Sequence, residues 1–177
     1  VGAPGHRGHR VQKCAQRRDG STRTHAGSLS ARACRRPVTQ VDFYVLPENG
    51  SLTAHAAVGR IAERALSRGH QIFVQVKDEA TATALHDNLW TFHEASFLPH
   101  AIAGTDDGEP LVIGWDDPPI EHDDVLINIT GVVPGHFARF GRLAEIVAPD
   151  AATLEASREA WRFYRDRGYP LAKHDLS

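Results

Sequence analysis

The sequence has no methionine, and its only two cysteines, Cys14 and Cys34, lie within the first forty residues. The rest of the chain therefore has no thiol for a disulfide framework, a thiolate-bound metal or a cysteine nucleophile. No stretch reaches 18 consecutive apolar residues, and the first thirty residues lack the apolar core that a secretory signal needs. We therefore expect a cytoplasmic protein without a membrane partner.

Charge is distributed unevenly along the chain. Residues 1–40 contain nine Lys and Arg against Asp19 alone, whereas residues 41–177 contain 11 basic and 21 acidic residues. The first segment is poor in large apolar side chains and cannot bury enough surface to offset the entropy of ordering, so we expect a basic, disordered extension. Two other interpretations stay open: it is a basic arm for nucleic acid, or it lies upstream of the native start.

Alternating strand and helix patterns fill residues 41–177, which we expect to form one α/β domain. Apolar runs rich in β-branched residues predict strands at 41–46, 71–76, 111–115, 124–130 and 143–148. Nearly continuous apolar strands that alternate with helices are typical of a parallel sheet covered on both faces. The predicted fold class is α/β, with three layers and a mostly parallel sheet.

Helical spacing and capping residues predict three main helices. The first covers residues 52–68, with Ser51 as its N-cap and Gly69 as its end. The second runs from the N-cap Asp78 to Trp90, and the last begins after Asp150 and ends before residue 168. A short helix is expected at 136–140.

Glycine-rich phosphate-binding motifs are missing from the first turn between strand and helix. That turn reads PENGSLTAHAAVGR, with Gly50 as the only glycine before the helix and with neither GxGxxG nor GxxxxGK[ST]. The close backbone approach to a phosphate and the lysine partner are both absent, so we expect no nucleotide site and no cofactor.

The stretch NLWTFHEASFLPHAIAG, residues 88–104, contains side chains that are common in catalytic or metal sites. His93 with Glu94 or His100 lacks further ligands at workable spacing, and no HExxH pattern is present. Ser96 lacks the G-x-S-x-G turn that exposes a nucleophile. We therefore expect no metal site and no catalytic residue here, although a small α/β enzyme remains the alternative on residues alone.

The last predicted helix carries a basic and aromatic face. Arg158, Trp161, Arg162 and Arg165 are spaced i, i+3, i+4 and i+7 on an otherwise acidic domain. The core stripe of this helix is predicted at Ala156, Ala160 and Phe163. Trp161 can also be a simple packing residue, but tryptophan beside arginines is typical of a protein-recognition surface that holds a carboxylate near an apolar pocket. An acidic or C-terminal peptide is the ligand that this face predicts.

Four segments, taken in order, resemble the chi subunit family of DNA polymerase III across residues 41 to about 171. They are VDFYVL, the long stretch from AERALSRGH to FLPHAIAG, DVLINIT and SREAWRFYRDRGYPL. The most specific marker is Leu89-Trp90 followed by Ser96 to His100, and the aromatic and basic ending with Tyr164-Arg165 supports it. The resemblance implies a Rossmann-like fold without a nucleotide site.

The same resemblance implies a non-catalytic subunit of a DNA polymerase complex. In the family, chi links the clamp loader, through the psi subunit, to the acidic C-terminal tail of the single-stranded-DNA-binding protein, so contact with DNA is indirect. The family's tail pocket maps onto Trp90, Val147, Arg158, Trp161 and Arg162. This chain departs from the family pattern at Leu154, where a lysine can occur, and at Trp161, where a tyrosine can occur.

Overall fold

Seven strands and three α-helices follow one another in the computed structural model, which describes residues 38–91, 98–105 and 108–176. All of these residues lie in one compact unit, Arg35–Ser177. Residues 1–37 of the predicted disordered extension lie outside the described residues, so their disorder stays a prediction.

The second and third helices begin at the capping residues that the sequence predicts. α2 is Glu79–Trp90, and the Asp78 carboxylate accepts a hydrogen bond of 2.8 Å from the backbone N–H three residues on. α3 is Ala151–Asp166, and Asp150 makes the same contact at 2.9 Å. Each carboxylate satisfies an amide that has no partner within the helix, so both N-caps are confirmed.

The first helix begins later than predicted. α1 is Ala54–Leu66, and its N-cap is Thr53. The Thr53 hydroxyl accepts a hydrogen bond of 3.2 Å from the backbone N–H of Ala56. Ser51 is not the cap, because its own N–H donates to the side-chain oxygen of Asn49 at 3.1 Å and closes a turn before the helix. Gly69 has φ 76° and follows the helix end, as predicted.

The seven strands form one sheet in which every pairing is parallel. The strand order is β3-β4-β2-β5-β6-β1-β7. The bounds are β1 Gln40–Val45, β2 Ile72–Gln75, β3 Ala101–Ile102, β4 Leu111–Gly114, β5 Val125–Asn128, β6 Arg142–Val147 and β7 Leu171–Asp175. The predicted short helix at 136–140 is a single 3₁₀ turn, Phe137–Arg139.

The two edge strands, β3 and β7, are absent from the predicted set. β3 has two residues, and β7 reads LAKHD with only partly buried or exposed side chains, so neither has the apolar run of a central strand. The central strands β2, β4 and β5 are buried along their whole length, which is why their sequence pattern is clear.

Helices cover both faces of the sheet, which confirms the predicted three-layer α/β class. One core contains buried residues of α1 and α2, among them Val58 and Leu85. The other core lies between the opposite face and α3 and contains Phe43, Phe140 and Tyr164. Among the described residues, no helix is both long and apolar enough to cross a membrane.

The buried stripe of α3 differs from the predicted one. Ala160 is buried as expected, but Tyr164 is the other buried residue of this helix, with no exposed surface, while Ala156 and Phe163 are only partly buried. Tyr164 can be fully buried because its hydroxyl has a buried hydrogen-bond partner, Glu145. The choice of Ala156 and Phe163 as core residues is therefore corrected.

Candidate functional site

A pocket of about 430 Å³ lies between α3 and the strands β1, β6 and β7. Its volume is within the usual range for ligand pockets. It is lined by Phe43, Val45, Val147, Leu154, Ser157, Arg158, Trp161, Arg162, Arg165 and Lys173. We call it the α3 pocket.

Aromatic and aliphatic side chains form the apolar wall of the α3 pocket. The Trp161 ring packs against Phe43 of β1 with centroids 5.0 Å apart and planes tilted by 53°. Val45 and Val147 are register partners at the carboxyl ends of β1 and β6, so they lie side by side. Trp161 is partly buried by these contacts and leaves one part of its ring at the pocket surface.

Four cationic side chains surround this apolar wall. Arg165 pairs with Asp166 at 3.0 Å, and Lys173 of β7 pairs with Asp175 at 2.8 Å, both on exposed groups. In the part of the chain that the structure describes, Arg158 and Arg162 have no ion-pair partner. Exposed guanidinium groups beside an apolar cleft are suited to holding carboxylates bidentately.

A buried carboxylate supports the pocket from behind. Glu145 of β6 is 5% exposed, and its two oxygens accept hydrogen bonds from the Tyr164 hydroxyl at 2.7 Å and from the Asn128 amide at 2.8 Å. Burial raises the pKa of Glu145 to about 7, and the two hydrogen bonds partly oppose that shift. The carboxylate does not line the pocket, so these contacts give it a structural role.

The structure brings together four of the five residues that the resemblance assigns to a tail pocket: Val147, Arg158, Trp161 and Arg162. It does not bring Trp90 to them. Trp90 is the last residue of α2, which packs over β3 and β4, and the strands β2, β5 and β6 separate β4 from β1. At about 4.8 Å per strand, that separation is roughly 19 Å along the sheet.

Trp90 also lies on the other face and at the other edge of the sheet. α2 packs into the core opposite the α3 side, and a helix that connects parallel strands runs back toward their amino ends. Trp90 is 54% exposed, and its ring lies beside that of His100, with ring centroids 5.3 Å apart. The assignment of Trp90 as a wall of the pocket that α3 completes is therefore corrected.

Sequence reasoning missed several residues that line the α3 pocket. Phe43 and Val45 alternate along β1 and so share the face that meets α3, a signal that period-2 spacing carries. Lys173 comes from β7, for which no strand was predicted, and Ser157 lies one position from Arg158 on α3. No local pattern connects Lys173 with α3.

The histidine-rich stretch shows packing contacts where it is described. His100 is 7% exposed, and its ring nitrogens lie 2.6 Å from the Leu98 carbonyl oxygen and 3.3 Å from that of His86. His93, Glu94 and Ser96 lie outside the described residues. Among the described residues, no three His, Cys, Asp or Glu side chains are grouped so that they could hold a metal ion.

Comparison with known proteins gives one family. Residues 38–172 match the family described as DNA polymerase III chi subunit, HolC. The chain is 40% identical over 139 residues to DNA polymerase III subunit chi of Pseudomonas aeruginosa, an alignment that covers 78% of this chain and 98% of the relative. It is 26% identical over 137 residues to the protein of the same name from Haemophilus influenzae, covering 76% of this chain and 95% of the relative.

The fold is also found among solved structures. The crystal structure of UvsW of bacteriophage T4 superposes with a TM-score of 0.55 and 8% identity, covering 80% of this chain. This chain spans only 42% of that protein. At such low identity the likeness concerns the arrangement of strands and helices alone.

Proposed function

This chain belongs to the DNA polymerase III chi subunit family, and we propose that its α3 pocket binds the acidic C-terminal tail of the single-stranded-DNA-binding protein. One observation carries the proposal: an apolar cleft between α3 and the sheet edge is surrounded by Arg158, Arg162, Arg165 and Lys173. Residues 41–177 otherwise contain an excess of acidic side chains, so this cluster is a local exception.

The pocket matches the chemistry of such a tail in two respects. A peptide that ends in an aromatic residue presents a ring and a free carboxylate side by side. The ring fits the apolar wall of Trp161, Phe43 and Val147, and the carboxylate pairs with Arg158 or Arg162. Further acidic side chains of the tail pair with the remaining cations near the rim.

The expected affinity is modest. Each of these contacts contributes about 1–3 kcal/mol after desolvation, and a few of them give a dissociation constant on the order of micromolar. An oligomeric single-strand binder presents several tails at once, so avidity on DNA strengthens the attachment without any new contact.

Isothermal titration of a short synthetic acidic peptide, ending in an aromatic residue with a free carboxylate, tests the proposal. Arg158→Ala and Arg162→Ala each remove an exposed guanidinium from the rim, so we expect about tenfold weaker binding for each. The matched control is Arg60→Ala, which also removes an exposed arginine, but from α1 on the opposite face of the sheet.

Equal affinity for the wild type and all three variants would assign the peptide to another surface. Amidation of the peptide's C-terminus keeps the aromatic ring and removes one negative charge. We expect it to weaken binding to the wild type more than to Arg158→Ala, since that variant has already lost the paired cation.

We further propose that the protein works at the replisome, where it links the clamp loader, through a psi partner, to the single-strand binder. Membership in the family supports this role, and no residue of this chain is assigned to psi contact. A pull-down with full-length single-strand binder, and with the same protein lacking its tail, shows whether attachment to the single-strand binder depends on the tail. Retention of the tailless protein would contradict tail-dependent attachment.

A further inference from the structure

β7 ends the sheet and lies beside the α3 pocket. Its residues Leu171–Asp175 pair with β1 on one side, and no strand among the described residues pairs with its other side. An edge strand presents a row of backbone N–H and C=O groups that can pair with an added strand.

The hydrogen bonds to β1 identify which backbone groups of β7 face outward. The N–H of Val41 donates to the Pro170 carbonyl at 2.9 Å, and the N–H of Leu176 donates to the Val45 carbonyl at 2.9 Å. Inward bonds alternate along a parallel strand, so positions 170, 172, 174 and 176 face β1. The backbone N–H and C=O groups of Leu171, Lys173 and Asp175 therefore face the open edge.

The side chains of the same outward positions lie on the pocket face of the sheet. Leu171 packs against the core under α3, and Lys173 lines the α3 pocket. His174, by contrast, stacks on Tyr44 at 4.8 Å, and Tyr44 packs against the core of the opposite face. The free backbone edge, the Lys173 ammonium group and the pocket are thus adjacent.

We propose that an acidic peptide binds here in an extended conformation as an eighth strand, pairing with β7 while its terminal side chains enter the α3 pocket. Charge complementarity selects this occupant, because Lys173, Arg162 and Arg165 flank the edge of a domain that is otherwise acidic. Main-chain pairing supplies affinity, and the pocket selects the terminal ring and carboxylate. This inference rests on the proposed function.

N-methylation of the synthetic acidic peptide, one amide at a time, tests strand addition. An added strand uses every second amide toward β7, and the others face solvent. We expect methylation at alternating positions to weaken binding about tenfold and at the intervening positions less than about twofold.

Lys173→Pro and Lys173→Ala form a matched pair on the protein side. Both remove the ammonium group, but only proline removes the outward N–H, and proline is tolerated where a strand's N–H faces away from its sheet. We expect Lys173→Pro to bind the unmodified peptide several-fold more weakly than Lys173→Ala. Thermal unfolding of both variants checks that β7 is retained, and the methylation series decides the question if the proline variant does not fold.

The possible failures are distinguishable. Binding that tolerates methylation at every position, while Arg158→Ala still weakens it, would overturn strand addition and leave the pocket proposal in place. An unmodified peptide that does not bind the wild type at all would overturn the proposed function itself, and strand addition with it.

Discussion

The hydroxyl of Tyr164 donates a hydrogen bond of 2.7 Å to Oε1 of Glu145 and so ties α3 to β6 inside the core. Trp161 lies one helical turn before Tyr164, and Val147 lies two residues after Glu145 on the same strand. Two walls of the α3 pocket are therefore positioned by one buried contact. Changes in this hydrogen bond should therefore alter both the stability of the protein and its affinity for a peptide.

The pH dependence of stability should reflect Glu145. Its pKa rises from 4.5 to about 7 on folding, so the folded state holds this proton more tightly than the unfolded state does. This contribution to the free energy of unfolding is fully present when the pH is below the pKa of the unfolded state, and it is lost as the pH rises through the pKa of the folded state. The loss amounts to up to about 3 kcal/mol. Glu145→Gln should remove this loss, as measured by urea unfolding at about pH 4 and about pH 8.

Parallel pH profiles for the wild type and Glu145→Gln would contradict the assignment. The quantity to compare is the difference in the free energy of unfolding between the two proteins at each pH, because the contributions of other groups that titrate in the same range cancel in that difference.

Removal of the Tyr164 hydroxyl should destabilise the protein. Tyr164→Phe leaves one oxygen of the buried Glu145 carboxylate without its donor, and we expect a loss of about 1–3 kcal/mol in the free energy of unfolding above pH 7. The loss should be smaller in acid, where the carboxyl group is neutral. Tyr169→Phe is the control, since Tyr169 packs against Tyr164 and no hydrogen bond of its hydroxyl occurs among the described residues.

The two tryptophans should differ in peptide binding. Trp161→Ala removes an aromatic wall of the α3 pocket, and we expect at least about tenfold weaker binding of the acidic peptide. Trp90→Ala should leave the affinity unchanged because Trp90 lies on the opposite face of the sheet. Fluorescence or calorimetric titration measures both, and a large effect of Trp90→Ala would restore the assignment suggested by the family resemblance.

Lys173 and Asp175 should have opposite effects on binding. Their 2.8 Å ion pair engages the ammonium group that a ligand carboxylate would use. Lys173→Gln should therefore weaken binding of the acidic peptide several-fold, whereas Asp175→Asn frees the lysine and should strengthen it about two- to threefold. Both effects should decrease with added salt. Weaker binding by Asp175→Asn would show that the pair does not compete with the ligand.

Gly114 should not tolerate a side chain. A Cβ atom there would lie 2.9 Å from the Phe73 ring, and Phe73 is fully buried. We expect Gly114→Ala to cost about 1–3 kcal/mol of stability through overpacking. Gly135→Ala is the matched control, because a Cβ at that position meets no atom within 4 Å, and its melting temperature should stay close to that of the wild type.

Local interactions explain what could be predicted from the sequence. Asp78 and Asp150 cap helices through contacts three residues away, and the arginines of α3 share a face because of the helical repeat. The central strands are buried on both faces, which produces continuous apolar runs. Such features depend only on neighbours in the chain, so the α/β class and the basic face of α3 were predictable.

Long-range pairing explains what was not predictable. The order of strands follows from contacts between distant segments and leaves no local signature, so nothing in the sequence places Trp90 away from α3 or Lys173 next to it. β7 is an edge strand whose half-exposed side chains do not form an apolar run. The sequence by itself thus determined the three helices, the N-caps of α2 and α3 and the chemistry of the basic face. Only the tertiary structure decided which residues share the pocket, because sheet order sets which distant side chains meet.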